Sequence, residues 1–240
     1  MVACIMGRFV LNKVDFRAPS EALGAMLAIF IALFALLIAG VSSATCAVIA
    51  VRFYRNLFTD EGYLTWTLPA TPLEHLWSKI ISGVIWYTFD ILLCYLGLLI
   101  LVTGDNVVSL YTQIAPEMTE ALGMSLSSFT LYIVLFSLFS TLASVIMIYA
   151  SITIGQLFPG HRILGAIISY FALSFIIQIF TLVCMLLFNL FPYVGDTMTG
   201  STASHYLFSS LGLGVLLVTI TAIPEYFITH YIMKKKINLI

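Results

Sequence analysis

Five long runs that contain almost no charged residues constrain the fold of this chain more than any other feature. They cover about 22–51, 80–103, 129–156, 163–191 and 207–233. A helix needs roughly 20 mostly apolar residues to cross the hydrocarbon core of a bilayer. Each run is long enough, so we predict five transmembrane helices.

The remaining composition supports one membrane domain over residues 1–240. Of the 240 residues, 61% are hydrophobic and 9% are charged, whereas ordinary soluble domains carry roughly 25% charged residues. No strands of alternating polarity separated by turns are visible, so the expected fold is an all-α integral membrane bundle. The net charge of -1 and the lack of a basic stripe exclude a nucleic-acid partner.

The charged residues of the loops predict the orientation of the helices. Lysine and arginine collect in cytoplasmic loops. They occupy the first and third connections between spans and the C-terminal tail: Arg52, Arg55, Lys79, Arg162, Lys234, Lys235 and Lys236. The other two connections have no lysine or arginine and carry Asp105, Glu117, Glu120 and Asp196. We therefore expect a cytoplasmic C-terminus and outward-facing acidic loops.

The first residues conflict with this orientation. Five spans and a cytoplasmic C-terminus place the N-terminus outside, yet Arg8, Lys13 and Arg17 lie within residues 1–21. We therefore expect that "MVACIMGRFVL" is the N-terminal stump of a sixth helix, which enters from the cytoplasm. A full version would have six spans with both ends inside.

The cytoplasmic loop 52–79 combines charged residues with large apolar ones. Thr71, Pro72 and Glu74 predict a capped helix start, and the helix should continue into the second span. We expect the residues from Phe53 to Leu68 to form a separate element at the cytoplasmic face. Aromatic residues at headgroup level would explain its tryptophans. The adjacent acids at 60 and 61 are better explained by a protein partner, and the residues alone leave both interpretations open.

The stretch "RFYRNLFTDEGYLTWTLPATPLEHLWSKI" resembles the first cytoplasmic loop of bacterial ABC-2-type transporter permeases. The similarity lies in "FYRNLFTDEGYL", in "TLP" and in the short helix that ends in "SK". It continues more weakly in "YASITIGQLF" and "KKKINLI". In that family the loop holds the coupling helix, which docks on a separate ATPase subunit. The resemblance implies that the contact falls on Asn56, Leu57, Phe58, Thr59, Asp60, Glu61, Gly62 and Tyr63.

The same resemblance implies an exporter in the bacterial cell membrane. The chain would be its permease subunit, paired with a second permease chain and with two ATPase subunits that bind ATP and Mg²⁺. The substrate would be a peptide, a drug or a lipid-like compound. The chain departs from the family at its start, where the first helix is reduced to the stump.

No motif for bond chemistry is present, so we expect neither an enzyme nor a cofactor in this chain. There is no GxxxxGK[ST] phosphate loop, no HExxH and no CxxC. The four histidines are scattered over separate loops and spans, a spacing that does not predict a metal site.

Two acids lie inside predicted spans, namely Asp90 and Glu225. A charged side chain at the centre of a bilayer costs on the order of 3 kcal/mol. They could contact substrate or form a gate, or make structural polar contacts, for instance with Tyr87, Tyr95 or a serine of another helix. If they carried protons, the chain would be an ion-coupled secondary carrier. A third hypothesis is a non-transporting membrane anchor or immunity protein that binds a partner through loop 52–79.

Overall fold

The computed structural model describes residues 2–12, 21–188, 190 and 200–235, and within these ranges the regular elements are all helices. Lys13, Arg17, Asp196 and Lys236, which entered the charge analysis, lie outside the described residues. The helices are α1 (Val2–Asn12), α2 (Glu21–Phe58), α3 (Asp60–Trp66), α4 (Pro72–Val102), α5 (Asp105–Leu122), α6 (Leu126–Gly155), α7 (Arg162–Leu187) and α8 (Gly200–Lys235).

Five of the helices are long and apolar enough to cross a membrane. These stretches are Gly24–Phe58, Pro72–Val102, Ser127–Gly155, Arg162–Leu187 and Tyr206–Lys235. Their number and order agree with the predicted spans, and five such helices are typical of a multi-pass membrane protein.

The prediction that a separate element begins at Phe53 is wrong, because α2 continues as one helix through Phe58. The two arginines that follow the predicted first span are accommodated on the helix surface. Arg52 lies over the ring of Trp86, with its Cζ 5.2 Å from the ring centroid. Arg55 forms an ion pair with Glu61. The separate element is therefore only the short α3.

The first acidic connection, residues 104–128, is mainly a helix rather than a loop. Its helix, α5, has Asp105 in its first turn, where a negative charge interacts favourably with the helix dipole. It ends at Gly123, whose φ of 68° is a left-handed conformation that glycine adopts without strain. Helix α5 packs against α1, α6 and α8, and the acidic connection is therefore part of the folded bundle.

Helix α1 runs beside the last turns of α4 in the same direction. The Cys4 sulfur would lie 2.9 Å from a Cβ added at Gly97, and Asn12 Oδ1 would lie 2.6 Å from one added at Gly104. With 11 residues, α1 is about 16 Å long, roughly half of the hydrocarbon core. This direction agrees with the stump hypothesis; the existence of a preceding segment stays a prediction.

The main core lies at the end of the bundle that carries α3, where α2, α4, α6 and α8 meet. It consists of Ile49, Phe53, Leu57, Phe58, Leu76, Ile80, Val145, Ile146, Ile148, Tyr149, Ile152 and Met233. The rings of Phe53 and Tyr149 stack with centroids 3.8 Å apart. The Tyr149 hydroxyl donates a hydrogen bond of 2.9 Å to the backbone carbonyl of Lys79. Helices in lipid associate through such close packing and polar contacts, so these contacts hold α2, α4, α6 and α8 together at this end of the bundle.

Candidate functional site

The predicted coupling segment folds as the end of α2, the short α3 and the start of α4. Thr59 separates α2 from α3, and its hydroxyl donates a hydrogen bond of 2.6 Å to the carbonyl of Arg55. The amide of Gly62 donates to the carbonyl of Thr59 at 2.7 Å. These bonds close a tight turn, so α3 begins immediately after α2.

Helix α3 is held against α2 by a glycine and a tryptophan. A Cβ added at Gly62 would lie 2.7 Å from the carbonyl carbon and oxygen of Leu57, so only glycine allows this approach. The indole nitrogen of Trp66 donates to the same Leu57 carbonyl at 3.1 Å. The Trp66 ring also packs edge-on against His75 of α4, with centroids 5.3 Å apart. Helix α3 is therefore fixed to both neighbouring helices.

The predicted cap of α4 is present with both of its hydrogen bonds. The Thr71 amide donates to Glu74 Oε2 at 2.7 Å, and the Glu74 amide donates to Thr71 Oγ1 at 3.3 Å. Pro72 occupies the first turn, where its missing N–H has no intrahelical partner to lose. This capping box fixes where the connection from α3 ends and α4 begins.

The eight residues predicted to contact a partner differ in exposure. Leu57, Phe58 and Gly62 are buried inside the chain, so in this structure they hold the segment in place and offer no surface to a partner. Asn56 lines a small cavity between α2 and α4. Asp60, Glu61 and Tyr63 are exposed, and Thr59 is half-buried.

The exposed side of α3 also includes a residue that the sequence prediction missed. Leu64 is 72% exposed and Tyr63 is 67% exposed. Asp60, Tyr63 and Leu64 are spaced i, i+3 and i+4, which places them on one side of a helix. This spacing would have identified Leu64 if α3 had been recognised as a helix. We call Asp60, Tyr63 and Leu64 the α3 face.

The two adjacent acids have different surroundings. Glu61 pairs with Arg55, and the two side chains are 50% and 61% exposed. Ion pairs of this kind contribute between about 0 and 1 kcal/mol. Both acids lie in the first turn of α3, where negative charge is favourable. Within the described residues, the Asp60 side chain forms neither an ion pair nor a hydrogen bond, so its charge is available to a binding partner.

Asp90 contacts a serine of the neighbouring helix, which is one of the partners that the sequence left open. It is 6% exposed. The hydroxyl of Ser42 on α2 donates to Asp90 Oδ2 at 3.4 Å, and the Cys94 thiol lies 3.9 Å from Oδ1. The Ser42 contact joins α2 to α4, whereas Cys94 lies on α4 itself. The contact with Ser42 supports a structural role for Asp90 in holding the two helices together.

Glu225 is 5% exposed and lies on α8. The Thr229 hydroxyl donates a 2.7 Å hydrogen bond to the backbone carbonyl of Glu225. No side-chain hydrogen bond or ion pair of Glu225 is present in the described part of the chain, and therefore none joins it to Asp90. The structure does not combine the two acids into one site.

Metal-ligand residues are not clustered in the ranges that the structure describes. No group of three or more histidine, cysteine, aspartate or glutamate side chains is arranged there to hold a metal ion.

Comparisons with known proteins identify no relative: no protein-family model, curated protein or solved structure matches this chain.

Proposed function

We propose that this chain is the membrane-spanning permease subunit of an ABC-2-type exporter. In this proposal a separate ATPase subunit, which binds ATP and Mg²⁺, docks on the α3 face. The observation that carries it is the contrast between the two sides of α3. The inner side is locked onto α2 and α4 by Gly62 and Trp66, while the outer side presents an acid, a tyrosine and a leucine to solvent.

Such a face combines the features of a protein-docking surface. Exposed aromatic and aliphatic side chains provide area that becomes buried on binding. The unpaired Asp60 would select a partner with basic or amide donors. An interfacial loop without a partner would need neither the fixed inner side nor the acid.

The connection of α3 to the bundle provides a route for force. A push on α3 would reach α2 through the Leu57 carbonyl and α4 through the contact of Trp66 with His75. The stacked Phe53–Tyr149 pair and the bond from Tyr149 to Lys79 extend the connection to α6. ATP-driven closure of the partner would therefore move several membrane helices together.

The location and the assembly belong to the same proposal. We place the protein in the bacterial cell membrane with α3 and the C-terminus on the cytoplasmic side, because Arg52, Arg55, Lys79 and Arg162 flank the spans at the end that carries α3. A second permease chain would complete the exporter. An ion-coupled carrier would have to move protons through Asp90 and Glu225 separately, since within the described residues no hydrogen bond or ion pair joins the two acids.

Co-purification from gently solubilised membranes of the source cells tests the proposal. The tagged chain should recover an ATP-binding subunit, and Asp60→Lys or Leu64→Asp should reduce its recovery at least tenfold. Asp60 is preferable to Glu61 for charge reversal, because Glu61 also pairs with Arg55.

The matched control is Leu157→Asp. Leu157 is 46% exposed and lies in the turn between α6 and α7, outside the α3 face. This variant should recover as much of the ATPase as the unmodified chain. Recovery of a non-ATPase partner through the α3 face would favour the anchor hypothesis, and equal losses in all variants would refute specific docking there.

A further inference from the structure

A small cavity with both polar and apolar walls lies between α2 and α4, and we propose that it binds the phosphate of an anionic lipid headgroup, or a free phosphate ion, at the membrane surface. The cavity has a volume of about 120 Å³. Its lining consists of Ile49, Arg52, Phe53, Asn56, Ser78, Lys79, Ser82, Gly83, Trp86 and Tyr149. Two of these residues are cationic and none is acidic, so its charge is complementary to an anion.

The helical period places the polar groups on facing walls. Arg52 and Asn56 are four residues apart on α2, and Ser78, Ser82 and Trp86 repeat at the same interval on α4. Side chains at this spacing share one side of a helix. Donors from two helices therefore converge on one space.

The floor of the cavity is rigid. Tyr149 stacks on Phe53 there, and its hydroxyl is bonded to the Lys79 carbonyl. A Cβ added at Gly83 would come within 2.8 Å of the Tyr149 hydroxyl oxygen, so glycine at this position lets the tyrosine reach α4. The cavity is built into the bundle core rather than formed by surface side chains alone.

Its cations are not neutralised by the protein. Within the described residues, neither Arg52 nor Lys79 forms an ion pair, and the Arg52 guanidinium rests over Trp86. Asn56 and Ser82 also make no hydrogen bond there. Guanidinium, ammonium, amide and hydroxyl groups all donate hydrogen bonds, and a phosphate group offers several oxygens that can accept them.

The size and the height of the cavity favour a headgroup. Its volume is well below the roughly 300–1,000 Å³ of pockets that enclose drug-sized ligands, so it suits a small group. Arg52 lies about 9 Å from the end of α2 and Lys79 about 10 Å from the start of α4, at 1.5 Å per residue. The two cations are thus at similar heights. Basic pockets between membrane helices bind anionic lipid head groups, and the exposed Trp86 is typical of the interface.

Native mass spectrometry of the purified full chain tests the proposal, with phosphatidylglycerol and phosphatidylcholine as probes. We expect one phosphatidylglycerol per chain to be retained much more strongly than phosphatidylcholine. A cation near the membrane surface contributes about 1 kcal/mol to the binding of anionic lipid. Arg52→Gln or Lys79→Gln should therefore weaken retention about fivefold, and the double variant about 25-fold.

Two further variants and one competitor make the test specific. Arg162→Gln removes a charge from the same end of the bundle but outside the cavity, and should leave retention unchanged. Ser82→Leu fills the cavity while keeping both charges, and should abolish the retention of phosphatidylglycerol. Competition by millimolar inorganic phosphate would identify the free anion as an occupant, whereas its failure would identify the lipid. Equal retention of both lipids, or an equal effect of Arg162→Gln, would overturn the proposal.

Discussion

Replacement of Gly62 by alanine should loosen α3 from the bundle. The added Cβ would lie 2.7 Å from the carbonyl carbon and oxygen of Leu57 and 3.2 Å from its Cα. All three atoms belong to the backbone, so no side chain can rotate away. Alanine stabilises a helix by about 1 kcal/mol relative to glycine, but overpacking of a well-packed site costs about 1–3 kcal/mol. Because the overlapped atoms are backbone, we expect a net loss of about 1–2 kcal/mol.

Two measurements report this loss. Unfolding by titration with SDS gives the change in the free energy of unfolding. Tryptophan emission reports the position of α3, because the Trp66 indole donates to the Leu57 carbonyl. The double variant Trp77→Phe/Trp86→Phe leaves Trp66 as the sole tryptophan. Gly62→Ala should shift this emission towards that of solvent-exposed indole.

Gly40→Ala is the matched control, because a Cβ added at Gly40 meets no atom within 4 Å. This variant should be neutral or gain up to about 1 kcal/mol, with unchanged Trp66 emission. If Gly62→Ala were as stable as Gly40→Ala and left Trp66 unaffected, the packing of α3 on α2 would be refuted.

Three further changes test the remaining contacts. Thr71→Ala removes the capping box and should cost about 1 kcal/mol in the same SDS titration; no change would contradict the cap. Gly155→Ala would place a Cβ 2.5 Å from the Ala166 amide nitrogen, where α6 packs on α7, and should cost about 1–3 kcal/mol of unfolding free energy. Unaltered stability would contradict this close packing of α6 on α7. Asp90→Asn can still accept from Ser42, so unfolding free energy and substrate export should stay nearly unchanged; loss of export alone would point to a functional carboxylate.

The long apolar runs were sufficient to predict five spans, because length and hydropathy decide whether a helix can cross lipid. The capping box at Thr71 was also predictable, because it depends on residues three positions apart. Both features are local in the sequence. A close backbone approach at Gly62 was also predictable from the residue type. Its partner, Leu57, was not predictable, because the contact requires the chain to turn back at Thr59.

The end of α2 was predicted incorrectly for a physical reason. Charges at Arg52 and Arg55 were interpreted as the start of a loop, yet one rests on Trp86 and the other pairs with Glu61. Such partners come from other elements and leave no local signal. The same limit applies to the buried contact between Ser42 and Asp90, where the sequence predicted the type of partner but could not identify the residue.

The central claim is that the α3 face docks an ATPase subunit, and a photo-crosslinker at position 64 tests it most directly. It should be incorporated in place of Leu64, with position 157 as the control, and activated in intact membranes of the source cells. The account predicts one protein adduct from position 64, identified by mass spectrometry as an ATP-binding subunit, and none from position 157. Adducts only with lipid, or the same adducts from both positions, would contradict it.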